Sequence, residues 1–90
     1  MKLHMYSIFD RKSGVFDRLF VLNSDEEAIR TFSDLANNKE TTIGNHPGDF
    51  ALYGFGLFDN VEGVVSPVDK YVVITGLECV RVASGVEDAE

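Results

Sequence analysis

The chain is poor in the residues that mark metal sites, disulfides and membrane spans. It holds one cysteine, two histidines and two prolines in 90 residues. Cys79 alone cannot close an internal disulfide and gives no reason to place the protein in an oxidising compartment. Two histidines and one cysteine are too few for an ordinary zinc site, and no motif calls for a cofactor. No apolar run approaches about 18 residues, so no membrane-crossing helix is expected. Met1-Lys2-Leu3-His4-Met5 lacks the apolar centre of a signal peptide. Basic residues are also scarce: eight Lys and Arg stand against fifteen Asp and Glu, a net charge of −7. Such a field opposes nucleic-acid binding, which rests largely on phosphate neutralisation.

What is present points to one small folded domain. Apolar residues make up 44% of the chain, enough for a collapsed core. A chain this short buries only about 60–65% of its unfolded surface, so association with a second subunit would stabilise it. The charge is uneven. Residues 1–30 carry five basic and five acidic residues; residues 31–90 carry three and ten. Any nucleic-acid surface therefore has to be local and to lie in the first thirty residues.

The pattern predicts strands at 3–10 and 15–22, joined as a hairpin through Arg11-Lys12-Ser13-Gly14. Ser24-Asp25-Glu26-Glu27 matches a capping box, and acidic residues in a first turn suit the helix dipole. Ala28, Ile29, Phe32, Leu35 and Ala36 then recur at helical spacing, and Glu26 and Arg30 stand four apart. A helix is placed at about 25–37. Residues 38–49 read as a loop with a turn near His46-Pro47. Residues 50–58 read as a third strand, Asp59 to Gly63 as a hairpin turn, Val64-Val65 before Pro67 as an edge piece, and 71–75 as a strong strand. Leu77 to Val82 would continue it or form a sixth piece. The expected architecture is α+β: a β-hairpin, one helix, then antiparallel strands, a ββαββ-like sheet with the helix packed on it. The domain spans 1–82, with an acidic, frayed tail at 83–90. The expected core includes Ile8, Phe9, Leu19, Val21, Ile29, Phe32, Leu35, Leu52, Tyr53, Val73 and Ile74. Several strands are apolar on both faces, which leaves a sheet face in need of a partner.

Most candidate motifs have ordinary readings. Gly54-Phe55-Gly56 lacks the third glycine and the following helix of a dinucleotide fingerprint, and fits a strand bulge or a close backbone approach. His46-Pro47-Gly48-Asp49 has no nucleophile beside it and reads as a loop. Asp59 and Glu62 lack the spacing of a calcium loop. Cys79 reads as a small buried hydrophobe. One constellation points to chemistry. Lys2, Arg11, Lys12, Arg18 and Arg30 interleave with Tyr6, Phe9, Phe16 and Phe20. Cations that track phosphates beside rings that stack bases are the equipment of single-strand binding. Asp10 and Asp17 weaken the local field.

A combination of segments carries a family resemblance. Met5-Tyr6-Ser7-Ile8-Phe9-Asp10 opens the chain. The run Ala28 to Asn37 is followed by His46-Pro47-Gly48-Asp49-Phe50-Ala51-Leu52-Tyr53, then Gly56-Leu57-Phe58-Asp59 and Gly63. Across residues 1–63 this order resembles the small nonstructural protein of gokushovirus-type microviruses, bacteriophages with circular single-stranded DNA. Gly48 and Gly54 depart from the pattern, which has an acidic residue at the first and often a basic one at the second. The resemblance implies a non-enzymatic role in viral DNA replication in the host bacterial cytoplasm, as a DNA-binding protein or an aid to the switch to single-strand synthesis. It supplies no catalytic residue. With the residue reading, it makes single-stranded DNA the expected ligand, with Lys2, Arg11, Lys12, Arg18 and Arg30 on phosphates and Tyr6, Phe16 or Tyr53 on bases. A homo-oligomer, a dimer first, is expected. The competing expectation is an acidic interaction module that binds a viral or host replication protein without touching DNA.

Overall fold

In a computed structural model, which describes residues 1–80, β1 (Lys2–Asp10) is the strand around which the sheet is laid. β4 (Phe50–Asp59) runs antiparallel along its whole length, and β5 (Val64–Thr75) lies antiparallel outside β4. The opposite flank of β1 is shared by two short strands, β2 (Val15–Phe16) and β3 (Phe20–Leu22). The five strands form one antiparallel sheet, ordered β2-β1-β4-β5, with β3 beside β2 on β1. The α+β expectation holds.

The second expected strand is thus broken in two. Residues 17–19 leave the ladder at Asp17. Its N–H still donates to the Ile8 carbonyl of β1 at 2.9 Å, but its carbonyl accepts from the Ser7 hydroxyl at 2.6 Å. The break also shifts side-chain parity. Phe20 and Leu22 turn inward, while Leu19 and Val21, expected in the core, are 63% and 42% exposed.

Helix α1 (Asp25–Ala36) starts where the capping signal placed it. The Ser24 hydroxyl accepts from the Glu27 N–H at 3.2 Å. The Glu27 carboxylate accepts from Asn23 rather than reaching back to the cap. Ala28, Phe32 and Ala36 form the buried stripe. They close with Tyr6, Leu52 and Cys79 on one face of the sheet, flanked by Ile8, Phe20, Leu22, Ile43, Phe50, Val73 and Ile74. Ile29 and Leu35 are only half-buried.

The loop at 38–49 contains more helix than its composition suggests. A short α2 (Thr42–Asn45) is capped by Thr41, whose hydroxyl accepts from the Gly44 N–H, and a 3-10 turn covers Pro47–Asp49. At the far end, residues 76–80 are helical, which corrects the expected strand at 77–82 over the part described. Cys79 packs from this turn into the core at 2% exposure, and burial pushes its thiol pKa up. The expected acidic tail at 83–90 lies outside the described residues.

β5 runs unbroken through Pro67, so the separate edge pieces are one strand of twelve residues. Pro67 is tolerated because β5 ends the sheet among the described residues.

Candidate nucleic-acid interface

The two faces of the sheet differ in what covers them. On β1, His4, Tyr6 and Ile8 point toward α1; Leu3, Met5, Ser7 and Phe9 point away from it. The register carries that alternation across the sheet. Tyr6 opposes Gly54 and Ile8 opposes Leu52 on the covered face, while Ser7 opposes Tyr53 and Phe9 opposes Ala51 on the open one.

Four rings gather on the open face. Phe9 and Phe16 are cross-strand partners with centroids 4.8 Å apart. Tyr53 lies 5.2 Å from Phe16 and 6.0 Å from Phe9, both edge-on, and Phe55 lies 5.5 Å from Phe16. β2 and β4 sit on opposite sides of β1, so these rings meet above it. Ser7 makes that possible: it is the small cross-strand partner of Tyr53 and is 1% exposed. Phe55 reaches the cluster from a bulge, since Met5 pairs with Gly56 and Tyr6 with Gly54, leaving Phe55 with no partner on β1. All four rings remain half-buried in the single chain.

Arg11 borders this cluster. Together with Phe9, Ala51, Tyr53, Asp49 and Leu77 it lines a groove of about 310 Å³. Its guanidinium holds the Asp49 carboxylate at 3.2 Å. Lys12 follows in the exposed β1–β2 turn, where its N–H donates to Asp10. That turn closes through Gly14, whose φ of 75° is the left-handed conformation glycine adopts without strain.

The remaining candidates lie elsewhere. Tyr6 is 0% exposed beneath α1, and its hydroxyl donates to Asp25. Burial and the adjoining Asp25 carboxylate push its phenol pKa well above the ordinary tyrosine value. Tyr6 is a core residue and cannot stack a base. Phe20 packs against it on the covered face at 5.9 Å. Arg30 sits on α1 between the inward-facing Ala28 and Phe32, on the layer opposite the open face. Arg18 is exposed on the β2–β3 connection. Lys2, the first residue of β1, is separated from Arg11 by about 30 Å of strand. The five cations do not form one surface; Arg11 shares a groove with Phe9 and Tyr53, whereas Lys12 lines a separate hollow with Thr42, His46 and Phe50.

Phe55 is the ring that the basic-aromatic pattern in the first half of the chain missed. Its signal was the sequence Tyr53-Gly54-Phe55, two rings flanking a strand glycine. Gly54 has its own reason. The Tyr71 ring lies across it on the covered face, and a Cβ there would collide with that ring. The absence of a side chain at position 54 therefore makes room for Tyr71.

His4 Nδ1 also lies 3.9 Å from an Asp25 carboxylate oxygen. The expected Glu26–Arg30 pair does not close to ion-pair distance. Among the described residues, no group of three or more His, Cys, Asp or Glu side chains gathers where it could hold a metal ion. No helix among them is long and apolar enough to cross a membrane.

A family model described as Phage ORF5 protein matches residues 3–79. The chain belongs to this family. The Phage ORF5 match takes in β1 from its second residue, the other four strands, α1 and Cys79, so the four clustered rings lie wholly within it. No curated protein and no solved structure gives a significant match to this Phage ORF5 chain.

Proposed function

We propose that this phage protein is a non-enzymatic replication accessory that binds single-stranded DNA through the open face of its sheet, in the manner implied by its resemblance to the gokushovirus-type nonstructural proteins. The observation that carries this reading is the cluster of Phe9, Phe16, Tyr53 and Phe55 on a sheet face that no helix among the described residues covers. Rings on a sheet stack bases irrespective of sequence, and they reach bases only in an unpaired strand. Arg11 supplies a phosphate contact at one end of the cluster, and Lys12 follows it in the exposed turn. Binding of this kind would hold newly made strands single and out of further duplex synthesis during the switch to genome synthesis.

A second reading rests on a different observation. The ladder-paired positions of the open face, from Leu3 and Phe9 through Ala51, Tyr53 and Phe58 to Val65 and Val72, carry no charge. Such a face also suits a viral or host replication protein.

Anisotropy of a labelled strand of about 30 nucleotides separates the two. The DNA reading expects tight binding at low salt that falls steeply toward about 0.15 M. It also expects the Arg11→Glu, Lys12→Glu double variant to lose most of that binding. Absence of binding at low salt overturns the DNA reading and leaves the protein-partner one.

A further inference from the structure

We propose that the groove beside the ring cluster takes one unpaired guanine base, read by Arg11 and Asp49, and so gives the site a preference for guanine; this rests on the single-strand reading of the open face.

The floor of the groove is a gap in that face. Phe9, Ala51 and Thr75 lie side by side across β1, β4 and β5. Ala51 is the smallest of the three, and Phe9 and Tyr53 flank it from the ring cluster. Two turns build the rest of the lining. Exposed Leu77 comes from the turn after β5, and Pro47, Gly48 and Asp49 come from the 3-10 turn before β4. The two turns touch. A Cβ on Gly76 would collide with the Pro47 carbonyl, and one on Gly48 would meet the Leu77 side chain at 3.8 Å. The lining is therefore held in place by the fold. At about 310 Å³ the groove is at the small end of ligand sites, which run from about 300 to about 1,000 Å³. That suits one flat base between rings and a leucine.

The polar groups of the groove select the base. The Arg11 N–H donates to the Asp49 carbonyl at 2.8 Å, which fixes the two residues side by side. Their side chains meet at 3.2 Å, with Arg11 exposed and Asp49 half-buried. A guanidinium has several N–H donors and a carboxylate several acceptor sites, so this one contact leaves most of both free. The groove thus offers donors beside a pair of carboxylate oxygens. Guanine is the base whose pairing edge answers in that order. Its O6 accepts, and its N1–H and 2-amino group donate side by side. Adenine and cytosine set one amino group beside an acceptor nitrogen, and thymine sets one N–H between two carbonyls. Each leaves a carboxylate oxygen without a donor or facing a lone pair, and a site discriminates most strongly through polar groups left unpaired. The pairing edge is free only in an unpaired strand, which the rings also require.

Anisotropy at low salt tests the preference with labelled strands of about 30 nucleotides, thymine throughout except that every third base is guanine or adenine. Adenine is the reference because it is also a purine and stacks comparably. The wild type is expected to bind the guanine strand about tenfold more tightly than the adenine strand. Hypoxanthine in place of guanine removes only the 2-amino group and is expected to lose most of that preference. 7-Deazaguanine keeps the pairing edge and is expected to retain it. Asp49→Asn exchanges one carboxylate oxygen for a donor and is expected to bring the guanine-to-adenine ratio close to one. Ala51→Leu fills the floor without touching either charge and is expected to do the same. Each variant is read as a ratio between two strands, so a change in overall affinity cancels, and far-UV circular dichroism reports whether it keeps the fold. Equal binding of all strands by the wild type overturns the guanine site and leaves the single-strand reading standing. Absence of binding to any strand overturns both. A preference that survives hypoxanthine or Asp49→Asn also overturns the guanine site. So does free deoxyguanosine monophosphate binding as tightly as the strand, which would assign the groove to a mononucleotide.

Discussion

The two faces of the β1–β4 ladder use the same kinds of residue to opposite ends. On one, Tyr6 and Leu52 disappear beneath Phe32 of α1, and the one polar atom at risk, the Tyr6 hydroxyl, is satisfied by Asp25. On the other, Phe9, Phe16, Tyr53 and Phe55 pack tilted or edge to face against one another and stop there, half-exposed. Adjacent strand positions point to opposite faces, so a single step along β1 decides whether a side chain builds the core or the surface. An aromatic residue in this sheet is a structural element or a candidate contact according to what lies above it, and the residue type does not distinguish the two.

The sharpest way to break the contrast is to remove the cover. Phe32→Ala is expected to cost about 3–5 kcal/mol, since it empties the centre of the core of a small domain. Urea denaturation measures it, and a cost under about 1 kcal/mol would mean the core lies elsewhere. Next, Tyr53→Ala or Phe16→Ala on the open face is expected to reduce single-strand affinity by about 1–3 kcal/mol for each base that the ring stacks. Its effect on stability is expected to be smaller than that of Phe32→Ala, so the ratio of the two effects reads out which face does which job. Tyr6→Phe keeps the ring in the core and removes only the hydroxyl. It is expected to cost about 1 kcal/mol in stability and leave DNA binding unchanged.

Two pH responses follow from opposite shifts. Burial raises the Tyr6 pKa in the folded chain, so the folded state favours the protonated phenol. That stability is fully present below the unfolded value near 10 and declines as pH rises past it. Asp59 is shifted the other way. The N–H groups of Glu62 and Val61 donate to its carboxylate at the β4–β5 turn and lower its pKa. Its contribution is present above the unfolded aspartate value near 4 and is lost as pH falls below it. Hydrogen exchange across residues 59–64 at about pH 3 against about pH 6 is expected to show that turn loosening first. Tyr6→Phe is expected to flatten the alkaline arm of the stability profile while leaving the acid arm unchanged.

Much of this was legible in the chain itself. The cap at Ser24, the stripe Ala28-Phe32-Ala36 and the turns at Gly14 and Gly63 rest on interactions within a few residues, so composition and spacing suffice to read them. The two-sided apolar strands pointed to a sheet face in need of a partner, and no helix among the described residues covers the ring cluster. Side-chain direction was harder. Leu19 and Val21 were misplaced because nothing local reveals that Ser7, ten residues back, takes the Asp17 carbonyl and breaks the strand. Tyr6 read like Phe16, an aromatic residue near cations, until α1 settled on its face.

The sequence by itself determined the α+β composition, the helix and its cap, the hairpin turns and the excess of negative charge. Each follows from residue type and short-range spacing. Only the tertiary structure decided which rings are covered, that Phe55 joins Phe9, Phe16 and Tyr53, and that Lys2 and Arg30 stand away from Arg11 and Lys12. Those outcomes depend on strand register, bulges and the layer a helix occupies. They are set by the simultaneous packing of segments distant in the chain, which no local pattern encodes.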